Sequence, residues 1–369
     1  ARQVGAELFL LDDGWFGNGP YSRDDDKHGL GDWEPSTKKL PRGLSYIAKE
    51  ALKRKVDFGI WLEPEMVNPQ SELYQKHPDW IITPILGRHQ EILDLTRPEV
   101  QAFEWQVIDK TLRPNPDISY VKWDCNRYIT QPGSGYLQPA EQSHLWIDYN
   151  WALYRLMERF SKEFPNVMAM LCAGGSGRVD YGALPYFHSF WPSDNTDPLG
   201  RIKIQWGFSH FFPASTISAH VTRMGKRHLK LAIDVALSGA FGIDLALDKA
   251  TAEERVQIAD AVKLYKASIR PLVMQGELYR LVSPYEHPMA SLSYVSTDKN
   301  DAVVYLYQIQ DGSVPQVILG GLDARKNYRV EEVGLPKGST SRFPGHGKIF
   351  SGAELMSTGI ANPLNAQFE

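Results

Sequence analysis

The sequence is poor in cysteine: only Cys125 and Cys172 occur in 369 residues, and they do not form a Cys-x-x-Cys pair. This excludes a framework of disulfides and a redox or zinc motif built on paired cysteines. Neither a His-Glu-x-x-His pattern nor another cluster of cysteine and histidine occurs, so no metal ligands are predicted. No run approaches the roughly 18 consecutive apolar residues that a membrane-spanning helix needs.

Strong charge of one sign is also missing. The 40 basic and 44 acidic side chains give a formal net charge of −4, and no basic run or stripe occurs, which argues against a nucleic-acid partner. No Gly-x-Gly-x-x-Gly pattern follows a strand candidate, and Gly174-Gly-Ser-Gly177 lacks the lysine of a phosphate-binding loop, which argues against a doubly wound nucleotide-binding sheet. The first residues lack the cationic start and cleavage site of a signal peptide. The compartment stays open, with the cytoplasm favoured over the periplasm or secretion.

Short apolar runs alternate with helical patterns over the first 270 or so residues. The strand candidates are Glu7–Leu11, Asp57–Leu62, Tyr120–Trp123, Val167–Leu171, Tyr186–Phe190, Thr216–Ala219 and Ala236–Ile243. The helix candidates are Leu44–Lys55, Pro98–Leu112, His144–Phe164, Lys203–Phe212 and Ala252–Arg270. Most strand candidates are apolar at consecutive positions, as strands buried on both faces are. Such an alternation predicts parallel strands, in a barrel or in a doubly wound sheet.

The polar residues that follow the strand candidates distinguish these two folds. Clusters occur at Asp12-Asp13-Gly14-Trp15, Trp61-Leu62-Glu63, Lys122-Trp123-Asp124, Cys172-Ala173-Gly174-Gly175 and Trp191-Pro192-Ser193-Asp194. A barrel gathers all such ends around one mouth, whereas a doubly wound sheet concentrates its chemistry at one switch point. We therefore predict a (β/α)8 TIM barrel over residues 1–280. Seven of its strands are counted, and the first strand is expected to precede Ala1.

The pattern changes after about residue 280. Segments with strand-like alternation are separated by turn signals, at Met289–Ser296, Ala302–Gln308, Gln316–Leu319 and Tyr328–Val333. This pattern is typical of antiparallel strands and predicts a small antiparallel β domain over residues 281–369.

Two aspartates at strand ends suggest glycoside chemistry. Asp124 follows one predicted strand, and Asp194 follows another two strands later. Glycoside hydrolysis needs one carboxyl group to protonate the leaving oxygen and another to attack or stabilise the sugar cation. Lys122 is two residues before Asp124 and therefore points to the same face of its strand, where a cation favours an ionised nucleophile.

Several stretches of the chain resemble glycoside hydrolase family 36, the melibiase or α-galactosidase family. The matching stretches are LFLLDDGWFG (8–17), FGIWLEPEMVNP (58–69), KHPDW (76–80), LDLTRPEV (93–100), YVKWDCNR (120–127), GGSGRVD (174–180), SDNTDPLGRIKIQWG (193–207) and ISAHVT (217–222). GAELM (352–356) resembles the family's C-terminal β domain.

The resemblance implies a retaining α-galactosidase in which Asp124 is the nucleophile and Asp194 the general acid/base. It implies further substrate-binding residues, namely Asp12 and Asp13 at the galactose 4- and 6-hydroxyls, Trp61, Arg88, Lys122, Cys172, Gly174, Gly175 and Trp191. Neither a metal nor an organic cofactor is implied. The expected partners are α-galactoside oligosaccharides, and because family members are often tetramers a homo-oligomer stays open.

Alternative functions remain open at this point. A galactosyltransferase of the raffinose- or stachyose-forming type would use the same chemistry with a sugar acceptor. An α-N-acetylgalactosaminidase would need room beside Cys172–Gly175, and a non-catalytic carbohydrate-binding fragment would show no turnover. Some residues also have two interpretations. Trp15 is either part of the pocket wall or part of the core, and Glu63 and Glu65 either support the site or form structural ion pairs. Arg178 and Arg201 pair either with Asp194 or with acids at the surface.

Overall fold

The computed structural model describes residues 1–83, 89–312 and 315–361, and its backbone groups into two compact units. The first unit consists of Ala1–Arg2 and Ala6–Phe190, and the second of Gln3–Gly5 and Trp191–Glu369. Within the described residues, no helix is both long enough and apolar enough to cross a membrane.

The first unit is built on a parallel sheet. Its strands are β1 (Leu8–Leu11), β2 (Asp57–Leu62), β3 (Met66–Val67), β4 (Glu91–Ile92), β5 (Ile118–Trp123), β6 (Met168–Leu171) and β7 (Ser189–Phe190). Five of them form one sheet in the order β1-β2-β5-β6-β7 with parallel neighbours, while β3 and β4 form a separate antiparallel pair. Every residue of β2 after Asp57 is buried, which explains why this strand is apolar without alternation.

Helices follow the strands of this sheet. They are α1 (Gly43–Lys53), α2 (Glu72–Lys76), α3 (Pro98–Leu112) and α4 (Leu145–Glu163). Buried side chains of α4 recur at the spacing of one helix face, and Phe160 on that face packs edge-on against Trp123 at 6.0 Å between ring centroids. The apolar face of α4 therefore covers β5, the strand that ends beside Asp124.

The second unit combines parallel and antiparallel pairs. Its helices are α5 (Pro198–Phe208), α6 (Leu229–Ala236), α7 (Ala252–Leu264), α8 (Arg270–Gln275) and α9 (Gly352–Ser357). Its strands are β8 (Ser218–Val221), β9 (Ala240–Ile243), β10 (Glu277–Val282), β11 (Met289–Val295), β12 (Ala302–Gln308), β13 (Asn327–Arg329) and β14 (Ile349–Ser351). Strands β8 and β9 pair in parallel, whereas β10-β11-β12 and β13-β14 are antiparallel.

The predicted bounds are confirmed where periodicity and flanking signals agree, as for β2, α3 and β12. The predicted strand Ala236–Ile243 is wrong in its first half, because α6 extends through Ala236 and β9 begins only at Ala240. Between Leu231 and Ile243 only Asp234 and Ser238 are polar, and a short buried helix cannot be told from a buried strand by apolar content alone.

Further predicted elements differ from the structure: the strand predicted over Tyr328–Val333, for example, corresponds to β13, which ends at Arg329. Gln316–Leu319 is not a strand, since only the single bridge between Val317 and Ile360 occurs there. The helix predicted over Lys203–Phe212 begins earlier, at Pro198, because proline lacks an N–H and fits the first turn of a helix.

Three tyrosines of β11 and β12 donate hydrogen bonds to carbonyl groups at the end of α6. The hydroxyl of Tyr294 donates to Ser238 O at 2.7 Å, that of Tyr305 to Leu237 O at 2.8 Å and that of Tyr307 to Asp234 O at 3.1 Å. The last carbonyls of a helix have no partner within the helix, so these hydroxyls satisfy buried acceptors. The antiparallel sheet is thereby fixed to α6 by polar as well as apolar contacts.

We expect Tyr294→Phe to lower the free energy of unfolding by about 1–3 kcal/mol, because the carbonyl of Ser238 is left buried without a donor. Tyr285→Phe is the matched control: Tyr285 is 64% exposed, and its hydroxyl donates to Lys203 O at 3.0 Å, where water can replace it. Chemical denaturation measures both variants. Equal losses in the two variants would contradict the importance of the Tyr294 contact.

Candidate active site

Asp124 lies immediately after β5 and is almost completely buried, with 3% of its surface exposed. Its backbone N–H donates to Leu62 O at 2.8 Å, which extends the pairing of β5 with β2 by one residue. Its carboxylate accepts two hydrogen bonds, from the indole N–H of Trp61 to Oδ2 at 3.0 Å and from the backbone N–H of Cys125 to Oδ1 at 2.8 Å. These donors fix the orientation of the carboxylate.

Lys122 lies between two carboxylates at the same end of the sheet. Its Nζ donates to Asp12 Oδ2 at 2.9 Å and is 4.0 Å from Asp124 Oδ2. Burial opposes the charge of the ammonium group, but the adjacent charges of Asp12 and Asp124 outweigh burial and raise the pKa of Lys122 above its ordinary value. Lys122 is therefore a permanent cation shared by the ends of β1 and β5.

Asp12 and Asp13 follow β1, and both side chains are partly open to solvent. Arg23 holds Asp13 through two parallel hydrogen bonds, from Nε to Oδ1 at 3.0 Å and from Nη2 to Oδ2 at 2.7 Å. Arg23 is itself buried and donates from Nη1 to Asn68 Oδ1 at 3.1 Å. The orientation of Asp13 is thus set by a fixed guanidinium, whereas Asp12 is oriented by Lys122.

The two tryptophans predicted near these aspartates are buried side by side. Trp61 has 2% of its surface exposed and stacks on Phe16 with ring planes 3° apart. The indole N–H of Trp15 donates to Trp61 O at 2.9 Å, and Trp15 is also 2% exposed. Trp15 is therefore a core residue and not a pocket wall, while Trp61 presents its N–H edge to Asp124.

The loop after β6 begins with Cys172, whose N–H donates to Trp123 O at 2.8 Å. Burial and the charge of Asp124 raise the pKa of the Cys172 thiol, so the thiol stays neutral beside the carboxylate. Gly174 and Gly175 have φ angles of 56° and 101°, a region that residues with a Cβ rarely adopt. The N–H of Gly174 donates to Asn126 Oδ1 at 3.2 Å, which ties this loop to the residues that follow Asp124.

Glu63 lies at the end of β2 with 1% of its surface exposed. One carboxyl oxygen accepts from the backbone N–H of Asn126, and the other accepts from the side-chain amide of Gln90 at 2.9 Å. Burial and then the nearby charge of Asp124 raise the pKa of Glu63 to about 8. Glu63 is therefore a protonated, neutral group at neutral pH.

Glu65 forms a buried ion pair with Arg178, at 2.5 Å between Oε1 and Nη1. The carboxylate also accepts from the indole N–H of Trp123 and from the hydroxyl of Tyr149, both at 3.0 Å. Arg178 in turn donates from Nη2 to Asp124 O at 3.4 Å. The sequence suggested Asp194 or a surface acid as the partner of Arg178. In the structure its partner is the buried Glu65 instead.

In the second unit, Trp191 and Asp194 form a local pair. The indole N–H of Trp191 donates to Asp194 Oδ1 at 2.9 Å; the tryptophan is 7% exposed, whereas the aspartate is open to solvent. The guanidinium carbon of Arg201 lies 4.5 Å from the centre of the Trp191 ring. The Trp191 ring also makes a tilted contact with the ring of His220, at 4.6 Å between the ring centroids.

The predicted residues of the first unit come together, since Asp12, Trp61, Lys122 and Cys172 all lie beside Asp124 or its cation. The roles assigned to these residues, and the pairing of Asp124 with Asp194, stay predictions. Arg88 lies outside the described residues. Among the residues that the structure does describe, no group of three or more His, Cys, Asp or Glu side chains could hold a metal ion.

Three residues of the site were not predicted from the sequence: Arg23, Gln90 and Asn126, which orient Asp13, Glu63 and the Gly174 loop. Arg23 and Gln90 lie in loops without periodicity, and nothing in the spacing marks their partners. Asn126 is inside the YVKWDCNR stretch, so its closeness to Asp124 along the chain was the one signal available.

The chain is similar to proteins of one known family. The Melibiase family profile matches residues 1–276, and the Glycosyl hydrolase family 36 C-terminal domain profile matches residues 289–369. Alpha-galactosidase AgaA of Geobacillus stearothermophilus is 39% identical over 380 residues, which cover 99% of this chain and 49% of that protein. The chain thus spans about half the length of this curated relative.

Two solved structures show the same fold. The GH36 α-galactosidase AgaB from Geobacillus stearothermophilus superposes with a TM-score of 0.89 at 38% identity, covering 100% of this chain and 50% of that one. A doubly substituted variant of AgaA in complex with raffinose has a TM-score of 0.88 at 37% identity, covering 99% of this chain and 50% of that one. These similarities confirm the predicted fold class, a TIM barrel followed by an antiparallel β domain. On the combined evidence of both profiles and of the AgaA sequence, the chain belongs to the melibiase family, glycoside hydrolase family 36.

Proposed function

We propose that this chain carries the catalytic site of a retaining α-galactosidase, which hydrolyses terminal α-linked galactose from oligosaccharides. The observation that carries the proposal is the placement of the Lys122 ammonium between Asp12 and the buried carboxylate of Asp124. A fixed, charge-stabilised carboxylate is what nucleophilic attack on a sugar requires. Family membership and the raffinose complex of AgaA support the substrate class.

The first step forms a galactosyl-enzyme. A carboxylate oxygen of Asp124 attacks the anomeric carbon while the bond to the leaving oxygen breaks. Asp194 gives its proton to that oxygen, so the aglycone departs as a neutral alcohol and Asp194 becomes a carboxylate. A retaining enzyme places its two carboxyl groups about 5–5.5 Å apart, and this is the separation that we predict for Asp124 and Asp194.

The second step reverses the roles of Asp194. Its carboxylate takes a proton from water, the resulting oxygen nucleophile attacks the anomeric carbon, and the bond to Asp124 breaks. Galactose leaves with the α configuration because the carbon is inverted twice. Asp124 and Asp194 return to their starting protonation states, so this sequence consumes no further reactant.

Galactose recognition is assigned to Asp12 and Asp13. Both are exposed enough to accept hydrogen bonds from a ligand, and both are held in place, by Lys122 and Arg23 respectively. Two adjacent carboxylates can bind the axial 4-hydroxyl and the 6-hydroxyl together. An analogue with an equatorial 4-hydroxyl would leave one carboxylate without its donor, which disfavours glucose.

Glu63 supports Asp124 by staying uncharged. A second buried carboxylate close to Asp124 would repel it, and the proton on Glu63 removes that repulsion. At the same time the Glu63 carboxyl group accepts from the N–H of Asn126, and Asn126 accepts from the N–H of Gly174. The loops that follow β2, β5 and β6 are thereby joined behind the nucleophile.

We further propose that the catalytic barrel spans residues 1–280 and the antiparallel domain residues 281–369. The ranges of the two family profiles, 1–276 and 289–369, support this division. Strand β10 pairs with β11 and so belongs with the antiparallel sheet, which supports a boundary close to its start at Glu277.

Asp124→Asn tests the nucleophile. An amide cannot form the glycosyl ester, so we expect kcat for 4-nitrophenyl α-galactoside to fall by about 10⁴-fold or more. The control is Asp180→Asn, which makes the same chemical change at an exposed residue. The carboxylate of Asp180 accepts a hydrogen bond from the hydroxyl of Tyr154, and the variant should keep wild-type activity. Retention of more than about a tenth of wild-type kcat by Asp124→Asn would exclude Asp124 as the nucleophile.

Asp194→Asn tests the general acid. We expect kcat/KM for raffinose to fall by about 10²–10⁴-fold, because its sugar leaving group needs a proton. The loss should be much smaller for 4-nitrophenyl α-galactoside, since nitrophenolate is a stable anion. Steady-state kinetics with both substrates measure this difference, and Asp260→Asn, at an exposed position of α7, is the control. Equal losses for the two substrates would contradict the role of Asp194.

Glu63 should make stability depend on pH. The pKa of Glu63 rises from its ordinary value of 4.5 to about 8 on folding, so the folded chain keeps a proton that the unfolded chain releases in this range. Its contribution to stability is full below about pH 4.5 and is lost as the pH rises through about 8. Relative to Glu63→Gln, the wild type should lose on the order of 4 kcal/mol of unfolding free energy between these values.

Denaturant titrations at each pH measure this effect. Glu253→Gln, at an exposed position of α7, is the control and should follow the wild type. Parallel pH curves for Glu63→Gln and the wild type would show that Glu63 is ionised in the folded protein.

A further inference from the structure

Arg201 is a charged residue in the buried stripe of a helix. The buried residues of α5 are Pro198, Arg201, Ile202, Gln205 and Trp206, which recur at the three- and four-residue spacing of one helix face. Arg201 is only 2% exposed, although arginine is almost never fully buried without a paired acid. Its position inside an apolar stripe therefore needs a physical reason.

The guanidinium of Arg201 makes no hydrogen bond within the described residues. Nε, Nη1 and Nη2 are all buried and all lack an acceptor. Burying a cation without hydrogen bonds is costly, so such a residue is expected to serve a function that offsets the lost stability. Of the two interpretations that the sequence left open, pairing with a surface acid is wrong for Arg201.

The surroundings of Arg201 connect it to Asp194. Its guanidinium carbon lies 4.5 Å from the centre of the Trp191 ring, within the range of a cation–π contact. The edge of the same indole donates from Nε1 to Asp194 Oδ1 at 2.9 Å. Burial lowers the pKa of Arg201 to about 10 and the charge of Asp194 opposes this, so Arg201 stays positive at neutral pH.

We propose that Arg201 is a positioning residue that acts on Asp194 through Trp191. The cation packs against the face of the indole and fixes its plane, and the indole N–H then holds Oδ1 of Asp194 at one place. A positive charge on that face also draws electron density from the ring and strengthens the N–H as a donor. The Oδ2 oxygen of Asp194 is thereby held in one orientation, from which it delivers its proton. This inference rests on the acid/base role proposed for Asp194.

The test compares two substrates that differ in their need for a proton. For each variant, kcat/KM is measured with 4-nitrophenyl α-galactoside and with raffinose, and the first value is divided by the second. This ratio does not depend on the fraction of enzyme that is correctly folded, so partial unfolding of a variant cannot imitate the effect. A general loss of structure lowers both values and leaves the ratio unchanged.

We expect Arg201→Met, which keeps the unbranched stem and removes the charge, to raise the ratio about tenfold, a part of the full effect of a general acid. Arg201→Lys keeps the charge but not the planar group, and its ratio should lie closer to that of the wild type. The control is Gln205→Met, one turn further along the same face, where Gln205 donates to Ser238 Oγ at 3.0 Å. Its ratio should stay at the wild-type value.

Asp194→Asn, measured in the same way, separates this inference from the proposed function. A raised ratio in Asp194→Asn and a wild-type ratio in Arg201→Met would overturn the role of Arg201 and leave that of Asp194 intact. A wild-type ratio in Asp194→Asn would overturn both. A ratio raised as much in Gln205→Met as in Arg201→Met would also overturn the inference, because any loss of packing in α5 would then suffice.

Discussion

The arrangement of the first unit depends on one cation, the ammonium group of Lys122, which lies between the carboxylates of Asp12 and Asp124. Parallel strands bring their carboxyl ends to one edge of a sheet, and three acids after β1 and β5 would repel each other there without compensation. Lys122 and Arg23 supply that compensation, and each also fixes the orientation of one acid. The same contacts that stabilise the cluster therefore also fix Asp12 and Asp13, the residues that we propose bind galactose.

The buried carboxyl groups behind this cluster are stabilised in different ways. Glu65 accepts hydrogen bonds from Arg178, Trp123 and Tyr149. Within the part of the chain that the structure describes, no ion pair is formed by Glu63, and burial together with the charge of Asp124 raises its pKa to about 8. Glu104 has no hydrogen-bond partner for either carboxyl oxygen among the described residues, and burial and then the charge of Glu65 raise its pKa well above the ordinary value. The two of these acids that form no ion pair within the described ranges, Glu63 and Glu104, thus both have a raised pKa.

Much of this could be predicted from the sequence, for physical reasons that differ between elements. Strand β2 and helix α3 were predicted with correct bounds because burial on both faces and a proline at the first helical turn leave local signals. The strand predicted over Gln316–Leu319 was wrong because alternation of apolar residues does not supply a pairing partner. Contacts such as Arg23 with Asp13, or the packing of Arg201 on Trp191, depend on the folded chain and leave no mark in spacing.

The central claim is that the carboxylate of Asp124 bonds to the anomeric carbon of galactose. Its most direct test is to trap the intermediate with a fluorinated α-galactosyl fluoride, which forms the glycosyl-enzyme and releases it slowly, and to locate the label by peptide mass spectrometry. The account predicts a single sugar adduct, carried by Asp124. An adduct on another carboxylate, or a product of inverted configuration with no adduct at all, would contradict it.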